Sequence, residues 1–127
     1  KWSLVIIRDL FLGKKTFTEF MKSPEKIASN ILSNRLDLLI DHGLLNVVKL
    51  PHDQKTKIYY LTNKGVDIYP VLYEMMFWSN RNLENKFDST GYKFFKDNKG
   101  VTPKVSIQNT QSLYIRNRDK ILSHKEP

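Results

Sequence analysis

Residues 28–43 read ASNILSNRLDLLIDHG, and the spacing within them decides the fold. Leu32, Leu36, Leu39 and Ile40 recur at helical intervals, with Ile31 and Leu38 beside them. That pattern predicts an α-helix over residues 28–42 with one apolar side. Ser29, Asn30, Ser33, Asn34 and Asp37 fall on the other side. Gly43 ends the helix, since the left-handed residue that closes a helix is usually glycine. Ala28 stands at the expected N-cap, and Ser29 is the alternative cap.

Upstream, Thr16 and Glu19 have capping-box spacing, which starts a short helix reaching Lys22. Ser23-Pro24 stops it, because the residue before proline is pushed out of the α region. Trp2–Leu12 reads as a buried helix ending at Gly13, and Lys14 and Lys15 form a turn. Downstream, an apolar run from Leu44-Leu45 to Leu50 and a second from Lys57 to Leu61 read as strands. Residues 51–56 are polar turn material between them, so the two strands make a β-hairpin.

Thr62 is placed to cap a long helix over residues 63–84. That helix is apolar almost all round, and Pro70 should bend it. A helix of this kind needs two burial partners. One is its own domain and the other is a second copy of the chain. The expected fold is therefore mainly α with a small antiparallel β-hairpin, α+β in class. A helix pair followed directly by a hairpin is the winged helix-turn-helix arrangement. It occupies residues 1–84, with the dimerisation helix at 63–84. Residues 85–127 form a C-terminal extension, partly helical near 92–96 and 112–122, that assists dimerisation.

The 127 residues carry 21 Lys and Arg against 13 Asp and Glu, a formal charge of +8. The excess points to an anionic partner, nucleic acid before membrane. There is no cysteine, which excludes disulfides and Cys-ligated zinc within these residues. No stretch has the length and apolarity of a transmembrane helix, and no signal peptide is evident. A cytoplasmic protein is the expectation.

Several segments carry a family resemblance. They are Lys1-Trp2 with Ile6-Ile7-Arg8-Asp9-Leu10 and Gly13, then Phe17-Thr18-Glu19-Phe20. Ile27 through Leu36, Leu39 and Asp41-His42-Gly43-Leu44 follow. Tyr59-Tyr60-Leu61-Thr62-Asn63-Lys64-Gly65 and Pro70-Val71-Leu72 leading to Trp78 complete the set. In this order and spacing, residues 1–80 resemble the HxlR-type regulators, a branch close to the MarR group. The resemblance implies a dimeric winged-helix repressor or activator of bacterial type. Members often carry a cysteine just upstream of the Lys-Trp pair, a position that lies before Lys1. The stretch from Asn85 onward has no match in the family core.

A winged helix places its second motif helix in the major groove. Ser29, Asn30, Ser33 and Asn34 are then the base-reading candidates, since asparagine pairs bidentately with adenine and serine bonds either base edges or phosphate. Arg35 matches the family's arginine and reads either as a DNA contact or as the partner of Asp37 or Asp41. Lys14, Lys15 and Thr16 sit at a helix start, where free amides attract phosphate. Lys55 and Lys57 of the wing 45–62 are expected on the DNA backbone or in the minor groove. Leu72, Met75, Met76 and Trp78 are expected at the dimer interface, with Tyr92 and Phe94 assisting. The aromatics near Trp78 fit core packing better than an effector pocket, and a small-molecule effector stays open.

His42, His52 and His124 show no metal-ligand spacing, and there is no phosphate loop, nucleophile elbow or cysteine nucleophile. An enzyme is not expected, nor a metal or cofactor. The reading is a homodimeric regulator that binds double-stranded DNA at a near-palindromic operator. Its alternative is a winged-helix module that docks proteins.

Overall fold

A computed structural model describes residues 2–82 and 96–123. The chain runs α1 (Trp2–Phe11), α2 (Phe17–Met21), α3 (Ser29–Asp41), β1 (Leu45–Leu50), β2 (Asp53–Leu61), α4 (Asn63–Val66), α5 (Tyr69–Asn82) and α6 (Pro103–Leu122). The fold is mainly helical with one two-stranded antiparallel sheet, in the winged helix-turn-helix order.

Local chemistry sets the helix ends. Gly13 takes φ +100° after α1. Thr16 caps α2 through a complete capping box. At the end of α3, Gly43 takes φ +77°, its amide donates to the Ile40 carbonyl, and the Leu44 amide donates to that of Leu39. These are the two crossed bonds of a Schellman motif. Ala28 is the N-cap of α3 and makes no side-chain cap; Ser29 is already helical.

The core joins Ile6, Ile7 and Leu10 of α1 to Phe20 of α2 and to Leu32, Leu36 and Leu39 of α3. Leu45 and Leu61, at the base of the hairpin, close it from below. Each fully buried leucine contributes about 1.5–3 kcal/mol relative to exposure, so the leucine stripe of α3 is what anchors that helix.

A polar network ties α1 to the segment before α3. The Arg8 guanidinium donates to Asp9 Oδ1 at 2.8 Å and to both Glu25 oxygens at 2.6 and 2.9 Å. The Ser23 hydroxyl donates to Glu25 at 2.7 Å. Lys14 Nζ lies 3.4 Å from the other oxygen of buried Asp9. Paired charges are the form in which a carboxylate tolerates burial.

Three expectations change. First, β2 starts at Asp53 instead of Lys57, so the turn shrinks to Pro51-His52, with an irregularity between Val48 and Leu50. Residues 53–57 are mostly exposed, and a strand with no buried face needs no apolar alternation. Asp53 Oδ1 takes the amides of Lys55 and Thr56 at 3.1 and 3.2 Å.

Second, the helix expected over 63–84 is two helices, interrupted at Asp67-Ile68. Pro70 does not bend a helix interior. It lies in the first turn of α5, where its missing N–H has no helical acceptor to lose. Leu72, expected at the dimer interface, is 7% exposed and part of the chain's own core.

Third, α6 starts at Pro103, nine residues before the expected 112. Thr102 caps it by accepting the Val105 amide, and proline occupies the first turn. The helix docks on its own domain. The Leu61 amide donates to the Tyr114 hydroxyl at 2.8 Å, and Gln111 donates to the Val66 carbonyl at 3.0 Å. Arg118 donates to the Leu61 carbonyl and to Asn63 Oδ1 at 3.1 and 2.9 Å. The Tyr114 ring packs on Phe11 with centroids 5.1 Å apart. Tyr92 and Phe94, and most of the helix expected near 92–96, lie outside the described residues.

Candidate nucleic-acid interface

α3 presents two chemically opposite sides. Leu32, Leu36 and Leu39 are 0–3% exposed. Ser29, Asn30, Ser33, Asn34 and Asp37 are all exposed on the other side. The sequence places these side chains correctly because the period of 3.6 residues per turn sets both stripes. Arg35 is half-buried, and neither Asp37 nor Asp41 forms a salt bridge with it among the described residues.

The position of α3 is held from both ends. Upstream, Glu25 is clamped by Arg8 and Ser23, and the Arg8 hydrogen bonds pull its carboxyl down to about 2 against the opposing effect of burial. Downstream, the Thr62 hydroxyl donates to the Gly43 carbonyl at 2.5 Å, and Lys64 Nζ donates to the His42 carbonyl at 2.9 Å. A cation on the last carbonyls complements the helix dipole. Thr62 was read as a helix cap, and none of these residues was read as holding α3. The Ser23-x-Glu25 pair beside an Arg8-Asp9 dipeptide was the available signal, yet only the tertiary fold brings it together.

The turn before α2 is more committed than its sequence suggests. The Glu19 carboxylate accepts the amides of Lys15 and Thr16 at 3.0 and 3.1 Å and the Thr16 hydroxyl at 3.1 Å. Desolvation raises the Glu19 pKa, but these bonds and the Lys15 charge bring it below the ordinary value. The Thr16 and Glu19 amides are thus satisfied within the expected capping box, and the Lys15 amide just before it is taken by the same carboxylate. Lys14 is paired with Asp9. The turn is also stitched to the hairpin, for the Tyr59 amide donates to the Lys15 carbonyl at 2.8 Å.

In the wing, Lys55 and Lys57 are exposed on β2 and His52 is exposed at the tip. Exposed Lys49 on β1 joins them. It was passed over because it sits inside the apolar run that identifies the strand. Gln54, also exposed, donates across the hairpin tip to the Leu50 carbonyl at 2.6 Å.

On α5, Val71, Met75 and Trp78 are about half exposed, at 52%, 49% and 51%. Their spacing of four and three residues makes one stripe. Met76 is half-buried. The aromatics near Trp78 pack internally, with the Tyr73 and Phe77 rings 4.6 Å apart. No helix among the described residues is long and apolar enough to cross a membrane.

Comparison with known proteins places this geometry. A family model described as HxlR-like helix-turn-helix matches residues 1–87. The HTH-type transcriptional regulator YodB of Bacillus subtilis is 31% identical over 84 residues, covering 66% of this chain and 75% of YodB. A Mycobacterium tuberculosis HTH-type transcriptional regulator, Rv3095, is 30% identical over 83 residues, covering 65% of this chain and 52% of that protein. The chain thus spans about half the length of the mycobacterial relatives it matches. Among solved structures, reduced YodB superposes with a TM-score of 0.57 at 30% identity, covering 68% of this chain and 85% of YodB. The redox regulator HypR in its oxidised form gives 0.58 at 27% identity, covering 67% and 88%. The family and these relatives are regulators of transcription, not enzymes.

Proposed function

Because this chain belongs to the HxlR-like helix-turn-helix family of transcriptional regulators, we propose that it binds double-stranded DNA sequence-specifically as a homodimer. The observation that carries the reading is the free polar side of α3, set opposite a leucine side sunk in the core. Asn30 and Asn34 read bases in the major groove, with Ser29 and Ser33 beside them on bases or phosphates. The N-terminus of α3 lacks a side-chain cap, which leaves amides for a phosphate. Arg35, with no salt bridge among the described residues, adds a phosphate or base contact. Lys49, Lys55 and Lys57 of the wing meet the flanking backbone or minor groove. Lys15 and Thr16 lie close to the sugar-phosphate chain; Lys14, held by Asp9, contributes its charge at a distance.

The second copy pairs through the α5 stripe of Val71, Met75 and Trp78, with Met76 at its margin. Leu72 is left to the protomer's own core. Two α3 helices then address half-sites about 10 base pairs apart, centre to centre, in a near-palindrome. The protein works in the cytoplasm, where its operator is.

Selection of bound fragments from a random duplex pool tests the reading. The expected result is an enriched inverted repeat. The paired change Asn30→Ala and Asn34→Ala should weaken binding to that repeat by about 1–3 kcal/mol per lost bidentate pair. No enrichment over the starting pool would turn the reading toward protein docking. An unchanged preference in the double variant would move base recognition off α3.

A further inference from the structure

Along the edge that it turns away from β1, β2 is held at two points. The Tyr59 amide donates to the Lys15 carbonyl at 2.8 Å, and two residues on, the Leu61 amide donates to the Tyr114 hydroxyl at 2.8 Å. Alternate amides of a strand face one edge, so both bonds stand where a third strand would pair. The Leu61 carbonyl is taken as well, by Arg118 Nη1 at 3.1 Å, and the same nitrogen donates to Asn63 Oδ1 at 2.9 Å. The Arg118 side chain is 11% exposed and its Nε is engaged by Asp119 at 3.0 Å, so the guanidinium is committed to this joint. Leu61 is fully buried and pairs with Leu45 at the base of the wing. The next residue reaches the other reading element: the Thr62 amide donates to the Leu44 carbonyl at 3.1 Å and its hydroxyl to that of Gly43, which closes α3. Residues 61–63 are thus gripped both by α6 and by the end of α3.

We propose that Tyr114 and Arg118 are positioning residues for the wing: by holding the amide and the carbonyl of Leu61 they set the angle at which the hairpin leaves the domain relative to α3. A hairpin acts as a lever. At about 3.3 Å per residue Lys55 stands roughly 20 Å from Leu61, so a tilt of about 10° at the base carries it roughly 3 Å, enough to break a phosphate contact. The angle therefore governs how Lys49, Lys55 and Lys57 meet a duplex seated on α3. That consequence rests on the DNA-binding reading, whereas the hold on the wing does not. The helix that supplies it, α6, lies outside the residues 1–87 matched by the family model.

The test has a free-chain arm and a DNA arm, both on the full chain. Tyr114→Phe removes only the hydroxyl; the ring stays on Phe11 and no charge changes. Without DNA, amide hydrogen exchange over residues 45–61 should quicken about tenfold, as loss of one buried bond implies, while α1 and α3 keep their protection. Arg118→Met should quicken the same stretch, and Arg118→Lys, which keeps a donor, should restore much of the protection. With DNA, binding is read at several salt concentrations on the repeat enriched from the random pool. Tyr114→Phe should flatten the slope of log K against log salt by about one to two units and keep the preference among sequences. A variant that was merely less stable would bind in proportion to its folded fraction and keep the slope of the parent. An unchanged slope overturns the proposal, as does exchange that quickens equally in α1 and α3 or nowhere. A parent chain that binds no duplex sinks the DNA-binding reading instead, and the exchange pattern then decides the hold on the wing by itself.

Discussion

Gly65 sits where two backbones pass within touching distance. A Cβ built on it would lie 2.2 Å from the Leu44 carbonyl oxygen and 2.9 Å from a Leu61 methyl. The amide of the same residue donates to Thr62 Oγ1 at 3.2 Å, so moving the backbone away also disturbs the cap of α4. Gly65→Ala should therefore destabilise the fold by about 1–3 kcal/mol, as overpacking does, measured by urea unfolding. Glu25 offers a second, pH-dependent case. Its carboxyl ionises near 2 in the folded chain against an ordinary 4.5. A lowered carboxyl pKa stabilises the fold at pH values above the unfolded value, and that contribution fades as pH falls from about 4.5 toward 2. Glu25→Gln should cost about 1 kcal/mol at neutral pH, since the pair is partly solvated, and should flatten the loss of stability in that acid window. A variant with the full wild-type slope would show that other carboxylates set it.

At the scale of elements, what was readable in the sequence depended on whether the stop signals were local. The ends of α1, α2 and α3 fall within one or two residues of expectation because Gly13, the Thr16–Glu19 box and Gly43 act through bonds to their own neighbours. The base-reading candidates of α3 were readable for the same reason: helical spacing alone puts Ser29, Asn30, Ser33 and Asn34 opposite the leucines. Partners far along the chain were not readable. Periodicity assigned Leu72 to an apolar side of α5 but could not say that it would join the chain's own core. The stripe of α6 contains Gln111, Tyr114 and Arg118 between its apolar residues, and these polar members hid it until their hydrogen-bond partners on β2 and α4 were in view. The wing was found, yet its outer half was taken for a turn because exposed strand residues resemble turn residues. That correction lines up Lys55 and Lys57 along β2. Replacing both with alanine should lower affinity on every DNA sequence and flatten the slope of log K against log salt by up to about two units. An unaltered slope, read from binding at several salt concentrations, would place the wing away from DNA.

Over the whole molecule, the apolar residues of α5 divide between two tasks. Tyr69, Leu72 and Tyr73 close the protomer's core, while Val71, Met75 and Trp78 remain open. Aromatic anchors of this kind dominate the energetics of protein interfaces. Trp78→Asp should yield monomers in sedimentation without loss of helical signal, because the side chain it removes is half exposed. A dimer that persists would put the interface on another face. The last helix bears on the first domain in a different way. Leu61 is fully buried, and both its amide and its carbonyl find partners on α6, more than fifty positions later. Stranding a buried amide costs about 1–3 kcal/mol. A ribosome that has released the hairpin but not yet residues 111–118 therefore holds a hairpin whose Leu61 backbone still lacks its α6 partners. The hairpin and the helix after it therefore reach their final rigidity only once residues 111–118 have docked on them.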